Sequence, residues 1–315
     1  MKIVTMMLTL NSEKWFKEGV LTALKEAAEG YDHWLLIVDG GSTDGTVKVV
    51  KEAFGDRTII LNCEERNLAV CRNFALDHAP PDADFYCWVD SDIVIPRNFF
   101  SRLIPLFNDP KVGTAEISAR LEGEGVGSMG KYYRELKLSE EKGIKETKGG
   151  ATTCMIMRPE LAKTLRMDRR FRRAGEDISL HLQATERGYR TLMDLNEPTA
   201  RHVRNPSLSE ELRRLRYRGM ARALNLKLHR SVIEGSIFKA ALSGLVTVAA
   251  WLLLIYGLVF FVPLAFVPLI LLVARQAMKL KKPWKVHLAL VGVLLSTTYL
   301  MGLLYGTFRY WLFNF

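Results

Sequence analysis

The tract from Phe238 to Val273 carries a single charge, Lys239. A soluble domain has no place for so long an apolar run. As one helix it would extend about 54 Å at about 1.5 Å per residue, whereas a hydrocarbon core is about 30 Å thick. Two helices turning near Pro263, in FFVPL, fit better. A third apolar run follows, so spans are expected near 238–259, 262–278 and 286–308. The loop before the third run holds Arg275, Lys279, Lys281, Lys282 and Lys285. The positive-inside rule puts that loop in the cytoplasm. With three spans, the N-terminal part is then cytoplasmic as well. The aromatic end FRYWLFNF suits a belt at the far interface or a helix packed on its neighbours.

The residues before this tract have the composition of a soluble α/β protein. Net charge is +10, and the excess is concentrated. From Arg201 to Arg230, nine Arg and Lys residues face two acids, Glu210 and Glu211. Lying just before apolar spans, this stretch is expected to meet anionic headgroups or a phosphorylated ligand. No zinc-finger spacing or RNA-binding aromatic motif accompanies it, which argues against nucleic acid. Cys63, Cys71, Cys87 and Cys154 form no C-x-x-C pair and read as reduced thiols of a cytosolic domain. The start, MKIVTMMLTLN, has too short an apolar stretch for a signal peptide and is expected to be the first strand.

Strands and helices then alternate. KIVTMML, HWLLIVD, TIILN and DFYCWVD read as strands. SEKWFKEGVLTALKEAAEG reads as one helix with Ser12 as its N-cap, and TVKVVKEAF and NLAVCRNFALDHA as further helices. This pattern predicts a mostly parallel, doubly wound sheet. Ligands of such sheets sit at the carboxyl ends of strands. Asn11, Asp39, Asp90 and Asp92 all fall at such ends. A buried strand that finishes in two mutually repelling carboxylates can simply be turning into a solvated loop. The same pair also suits a hard divalent cation, which wants oxygen ligands. The convergence of acids at neighbouring strand ends favours the cation.

VDGGSTDGT, ERNLAVCRN, VDSD and RFRRAGEDISLHLQATERGYR, in this order and spacing, resemble the family 2 glycosyltransferases of GT-A (Rossmann-like) fold over about residues 1–205. The resemblance implies a nucleotide-sugar donor and a Mg²⁺ or Mn²⁺ ion. It implies that Asp92 is the direct metal ligand, with Asp90 beside it and facing the ribose. Leu8, Leu10, Asn11 and Asp39 would hold base and ribose, with Arg72 nearby. Glu176 and Asp177 match the pair whose Asp is the general base in inverting members, Glu176 orienting the acceptor or the loop. Gly149 and Gly150, in KGGATTC, would let backbone approach the donor sugar. His202, in ARHVRN, falls where many relatives carry a histidine near the metal. Each also admits a plainer reading. Asp39 fits an Asx-turn, Arg72 a surface charge, the Glu-Asp pair a helix cap, Gly149 and Gly150 an ordinary turn, and His202 a structural histidine.

SLSEELRRLRYRGMARALNLKLHR spaces its apolar residues as an amphipathic helix at the membrane interface, with Gly219 as a candidate break. Within it, Arg213, Arg216 and Tyr217 are similar to the Q-x-x-R-W motif of cellulose synthase-like enzymes. By that resemblance Arg216 grips the donor diphosphate and Tyr217 lies beside the acceptor. Arg213 stands where those enzymes have Gln, and Tyr217 where they have Trp. Their F-x-V-T-x-K motif is absent. A headgroup-binding arginine face is the plainer alternative. GSMGKYYRELKLSEEKG (127–143) reads as another amphipathic helix.

The expected organisation is a GT-A domain over 1–205, interface helices over 206–236 and transmembrane helices over 237–315. The expected activity is transfer of one hexose, mannose from GDP-mannose by family analogy, to a hydroxyl of a lipid-linked saccharide or glycolipid. The setting is the cytoplasmic face of the cell membrane, among its lipids. The alternative within this class is a polyprenyl (dolichyl)-phosphate mannose or glucose synthase, whose anionic acceptor needs no base. A catalytically silent membrane scaffold is the alternative outside it, and intact Asp90, Asp92 and Asp177 speak against that.

Overall fold

A computed structural model describes residues 1–121, 141–147, 150–204, 206–232, 245–255 and 267–312. The chain forms two compact units, residues 1–123 with 142–204, and residues 124–141 with 205–315.

The first unit is built on strands β1 (Lys2–Thr9), β2 (Asp32–Asp39), β3 (Thr58–Asn62), β4 (Phe85–Val89), β6 (Val112–Ile117), β8 (Ile144–Thr147), β9 (Cys154–Met157) and β10 (Arg190–Asp194). They make one sheet in the order β3-β2-β1-β4-β9-β6-β10-β8. The β3, β2, β1 and β4 neighbours pair in parallel, as do β6 and β10. β9 runs antiparallel to both β4 and β6, and β8 antiparallel to β10. β1 lies inside the sheet with Ile3, Val4, Met6 and Met7 fully buried, as expected of an apolar run covered on both faces. Short strands β5 (Ile93–Val94), β7 (Ala119–Leu121) and β11 (Ala200–His202) form a second sheet in the order β5-β11-β7. Phe99, Phe100, Leu35, Ile37 and Ile93 lie in the main core.

Local chemistry corrects one helix. SEKWFKEGVLTALKEAAEG forms two, Glu13–Lys17 and Val20–Ala27, because Gly19 takes a left-handed φ of 101° between them. Ser12 is the N-cap residue of the first, but its side chain makes no capping bond; its Oγ donates to Ser91 Oγ at 3.0 Å and its N–H to Thr46 Oγ1 at 2.7 Å. All four cysteines are unpaired, and Cys71, Cys87 and Cys154 are buried.

In the second unit the Leu208–Leu228 helix opens with a capping box, Ser207 and Glu210 bonding each other's backbone N–H. It runs through Gly219 without a break. A Cβ on Gly219 would stand 2.1 Å from the Tyr299 carbonyl oxygen, and one on Gly302 2.1 Å from that of Arg216. Glycine is therefore placed for close backbone approach to the Val286–Thr307 helix, which runs alongside in the same direction. Trp311 Nε1 donates to the Ala223 carbonyl at 3.2 Å, and Lys227 Nζ to that of Tyr310 at 2.6 Å. Gly302→Ala is expected to destabilise this unit by about 1–3 kcal/mol, as other overpacking does; a thermal melt in detergent reads it.

Among the described residues one helix, Val286–Trp311, is long and apolar enough to cross a membrane. Leu245–Ile255 and Val267–Ala277 are shorter apolar helices. Trp251 donates to Thr297 Oγ1 at 3.1 Å, and Gln276 to Ser296 Oγ at 2.7 Å, tying both to the long helix. The turn expected near Pro263, and residues 127–140 of the helix expected over 127–143, lie outside the described residues.

Candidate active site

Parallel registry brings the acidic strand ends together. Thr9 of β1 faces Asp39 of β2, and β4 runs beside β1 on the other side. Asp39 is buried, and both its oxygens are engaged. Oδ1 accepts from Thr9 Oγ1 (2.9 Å) and Ser42 Oγ (2.6 Å), and Oδ2 from the N–H groups of Gly41 (3.1 Å) and Ser42 (2.7 Å). The Asx-turn reading of Asp39 thus holds in the geometry: it shapes the glycine-rich turn. Asn11, with a left-handed φ of 51°, accepts from Thr43 N–H at 2.9 Å. Leu8 is half-buried, while Leu10 and Asn11 are exposed.

Asp90 follows β4. Its N–H donates to the Thr153 carbonyl at 2.9 Å, so the segment leading into β9 passes beside it. Asp92 precedes β5, and its carbonyl accepts from Val203 N–H at 3.0 Å, while His202 of β11 pairs in register with Ile93. Asp90, Asp92 and His202 therefore sit on adjoining strand ends. Burial raises the Asp90 carboxyl above its ordinary range; Arg72 opposes this, the like charge of Asp92 adds to it, and His202 opposes it further. An acid so placed gains from a nearby cation. Two carboxylates and an imidazole are a donor set that suits a hard divalent ion completed by phosphate oxygens and water. Among the described residues no three His, Cys, Asp or Glu side chains already form a ligand cluster.

Arg72 stands on the Leu68–His78 helix and is not a surface charge: it is 5% exposed. Its Nη2 donates to Asp90 Oδ1 at 3.1 Å, its Nε to Glu176 Oε1 at 3.3 Å, and its guanidinium lies 4.8 Å over the Trp88 ring. Burial works against its charge, yet Asp90, Glu176 and Asp177 together raise its pKa. Glu176 and Asp177 open the Glu176–Glu186 helix after Gly175, whose φ of 87° sets the entry. Glu176 is buried, and Oε2 has no partner. Burial, and then the charge of Asp177, raise its pKa against the pull of Arg72. Asp177 is half-buried and accepts the Ile178 N–H at 2.7 Å. One buried arginine thus ties the Asp-x-Asp turn to the Glu-Asp helix.

Gly150 is buried, and Gly149 lies outside the described residues. Arg213, Arg216 and Tyr217 belong to the second unit, on the Leu208–Leu228 helix. Arg213 and Arg216 are exposed, Tyr217 is half-buried, and the Arg216 guanidinium lies 5.7 Å over the Tyr305 ring. Sequence reasoning missed Glu116 on β6 and His181 on the Glu176–Glu186 helix, both buried close to Gly150. The available signal was a carboxylate in the middle of VGTAEI, which otherwise reads as a core strand.

The family model for glycosyl transferase family 2 matches residues 5–165, about half of the chain. No curated protein sequence matches significantly. Among solved structures, the mannosyltransferase PcManGT from Pyrobaculum calidifontis, in complex with GDP-Man and Mn²⁺, superposes with a TM-score of 0.58 at 18% identity, covering 98% of this chain and 86% of that one. S. aureus TarS gives 0.51 at 20% identity over 73% of this chain, which spans only 40% of TarS. Glucosyl-3-phosphoglycerate synthase from Mycobacterium tuberculosis gives 0.50 at 18% identity, over 72% of this chain and 79% of that one. These likenesses establish a shared GT-A fold, and the matched half of the sequence, which carries the glycine-rich turn, Arg72 and the Asp-x-Asp turn, makes this chain a member of the family 2 glycosyltransferases.

Proposed function

We propose that the protein is a metal-dependent, inverting hexosyltransferase that moves one sugar from a nucleotide sugar to a hydroxyl of a lipid-linked saccharide or glycolipid. The observation that carries this reading is the bridging of Asp90 and Glu176 by buried Arg72. It holds a diphosphate-side carboxylate and the Glu-Asp pair in one rigid frame, as donor and acceptor chemistry at one centre requires. Asp92 and Asp90, with His202, are the residues that would hold Mg²⁺ or Mn²⁺. Such an ion neutralises the charge of the departing diphosphate. Asp39 and Asn11 brace the glycine-rich turn against which base and ribose would lie, beside Leu8 and Leu10. By the resemblance, Gly149 and Gly150 would let backbone approach the donor sugar. Asp177 takes the proton of the acceptor hydroxyl, and Glu176, buried against Arg72, orients the helix that presents it. By the resemblance, Arg213 and Arg216 serve the diphosphate and Tyr217 the acceptor.

PcManGT, crystallised with GDP-Man and Mn²⁺, supports GDP-mannose as the first donor to test. Leu252, Ile270, Leu271, Trp284 and Met301 are exposed apolar residues of the second unit, and exposed Arg213, Arg216 and Arg218 are suited to anionic headgroups. They support attachment to a membrane, and the positive-inside rule applied to the Arg275–Lys285 loop is what puts the catalytic unit on the cytoplasmic side in this reading. The test is detergent-solubilised protein given labelled GDP-mannose, UDP-glucose and UDP-N-acetylglucosamine with a lipid extract and Mn²⁺. A labelled lipid that disappears with excess chelator is the expected result. Undiminished labelling in chelator would remove the metal from the reading, and no labelled product from any donor would remove the transferase.

A further inference from the structure

Residues 165–175 form neither helix nor strand, yet this strap, which leads into Glu176 and Asp177, is bonded along the Leu68–His78 helix. At the far end Arg166 Nε and Nη2 donate to Asp77 Oδ1 at 3.0 and 2.7 Å, an exposed pair of small worth. One turn back along the helix, Asn73 takes both backbone polar groups of Met167. Its Oδ1 accepts the Met167 N–H at 2.8 Å, and its Nδ2 donates to the Met167 carbonyl at 2.8 Å. At the start of the helix Asn67 Nδ2 donates to the Arg169 carbonyl at 2.9 Å, and the Leu68 N–H to that of Arg172 at 3.0 Å. The strap therefore runs antiparallel to the helix. It then turns in to Glu176, whose Oε1 accepts from Arg72 Nε at 3.3 Å.

The Asn73 contact is the strongest of these. A primary amide carries a donor and an acceptor side by side, so it can pair with one residue's N–H and C=O as a neighbouring strand would. Its orientation is fixed, because the Met167 N–H can only donate and the carbonyl only accept. Met167 is 3% exposed, and without Asn73 two of its backbone groups would lose their partner in a buried place, which is costly. Gln183, on the helix that opens with Glu176 and Asp177, donates from Nε2 to the Arg166 carbonyl at 2.9 Å. The strap is thus held to both helices, and a shift in it is passed to the second. The geometry points to Asn73 as a positioning residue for sugar transfer: by clamping Met167 it fixes the strap that sets where Asp177 stands. Arg72 and Asn73 are neighbours in the chain with divided tasks. Arg72 grips the Glu176 side chain, and Asn73 grips the backbone that leads to it. Displacement of a reacting group by about 1 Å can cost about 10²-fold in rate, so a clamp remote from the chemistry has a large effect on turnover.

The inference rests on the proposed transferase reading, and its test separates the two. Full-length protein in detergent is compared as wild type, Asn73→Ala, Asp177→Asn and the double variant. Asn73→Ala is expected to lower kcat about tenfold or more with the donor KM little changed. If Asn73 acts through Asp177, the same substitution made on top of Asp177→Asn should cost less than about threefold, because residues that act as a unit are not additive. A merely structural role would give the same loss in both backgrounds. Asn73→Asp keeps the acceptor for the Met167 N–H but sets a carboxylate against the Met167 carbonyl. It should show the same pattern, and it serves if Asn73→Ala fails to fold. A readout independent of any substrate is amide hydrogen exchange, expected to quicken across 165–177 in Asn73→Ala while the core strands stay protected. Wild-type kcat in Asn73→Ala, or an equal loss in both backgrounds, would overturn the positioning role while the transferase reading stands. Unchanged exchange in the strap would overturn the clamp itself. Quickened exchange in a protein whose wild type transfers no sugar would sink the transferase reading and the positioning role together, leaving only the clamp.

Discussion

Asp177→Asn is expected to lower kcat by about 10²–10⁴, the usual contribution of a positioned general base, while donor binding and the melting temperature stay close to wild type. The geometry separates the two acids of the pair. Glu176 is buried, its Oε1 is taken by Arg72, and its carboxyl is raised by burial. Asp177 is half-buried at the start of its helix, where the backbone dipole favours a carboxylate. Asparagine keeps the shape and the acceptor for the Ile178 N–H but cannot take a proton. The measurement is steady-state transfer to the lipid acceptor at saturating donor. Near wild-type turnover with a lipid phosphate as acceptor would move the assignment to a polyprenyl-phosphate sugar synthase, because an anionic acceptor needs no base.

Arg72→Met carries the second large effect. It leaves Glu176 and Asp90 without their shared cation, and removing one partner of a buried pair costs about 3–5 kcal/mol. Glu176 can relieve part of this by taking up a proton. Its folded pKa is raised above the ordinary carboxylate value, so its contribution to stability is fully present at low pH and is lost as pH rises. Loss of Arg72, which lowers that pKa, strengthens the trend. The variant should therefore be destabilised more at about pH 8 than at about pH 6, and adding Glu176→Gln should recover part of the loss. Denaturation in detergent at both pH values measures this. A penalty below about 1 kcal/mol at the higher pH, typical of a solvent-exposed pair, would show that the arginine does not hold the frame together.

The acidic strand ends were legible because each lies in a short local pattern. DFYCWVD is a strand by composition and ends at Asp90, and the same holds for HWLLIVD and Asp39. The role of Arg72 was not legible. CRN on a helix looks like any solvent-facing charge, and its partner Glu176 stands 104 residues away. Glu116 was missed because it sits in no motif, and His181 because nothing in RFRRAGEDISLHLQATERGYR marks it out; the two come close to Gly150 only through the fold. SEKWFKEGVLTALKEAAEG reads as one helix because a single glycine inside a helical pattern is ambiguous until the chain direction on either side is known. At Gly219 the ambiguity resolved the other way, because a neighbouring helix needed the space.

The amino-acid order by itself determined the alternation of strands and helices, the largely parallel sheet, the acids at its strand ends and the apolar C-terminal quarter. These follow from periodicity and composition within a few residues, where the energetics are local. Only the tertiary structure decided that β9 reverses between β4 and β6, that Arg72 joins two acidic motifs, that Glu116 and His181 come close to Gly150, and that Gly219 and Gly302 serve a close helix crossing. Each of these depends on which distant groups exclude water from one another, and that is set by packing over the whole unit.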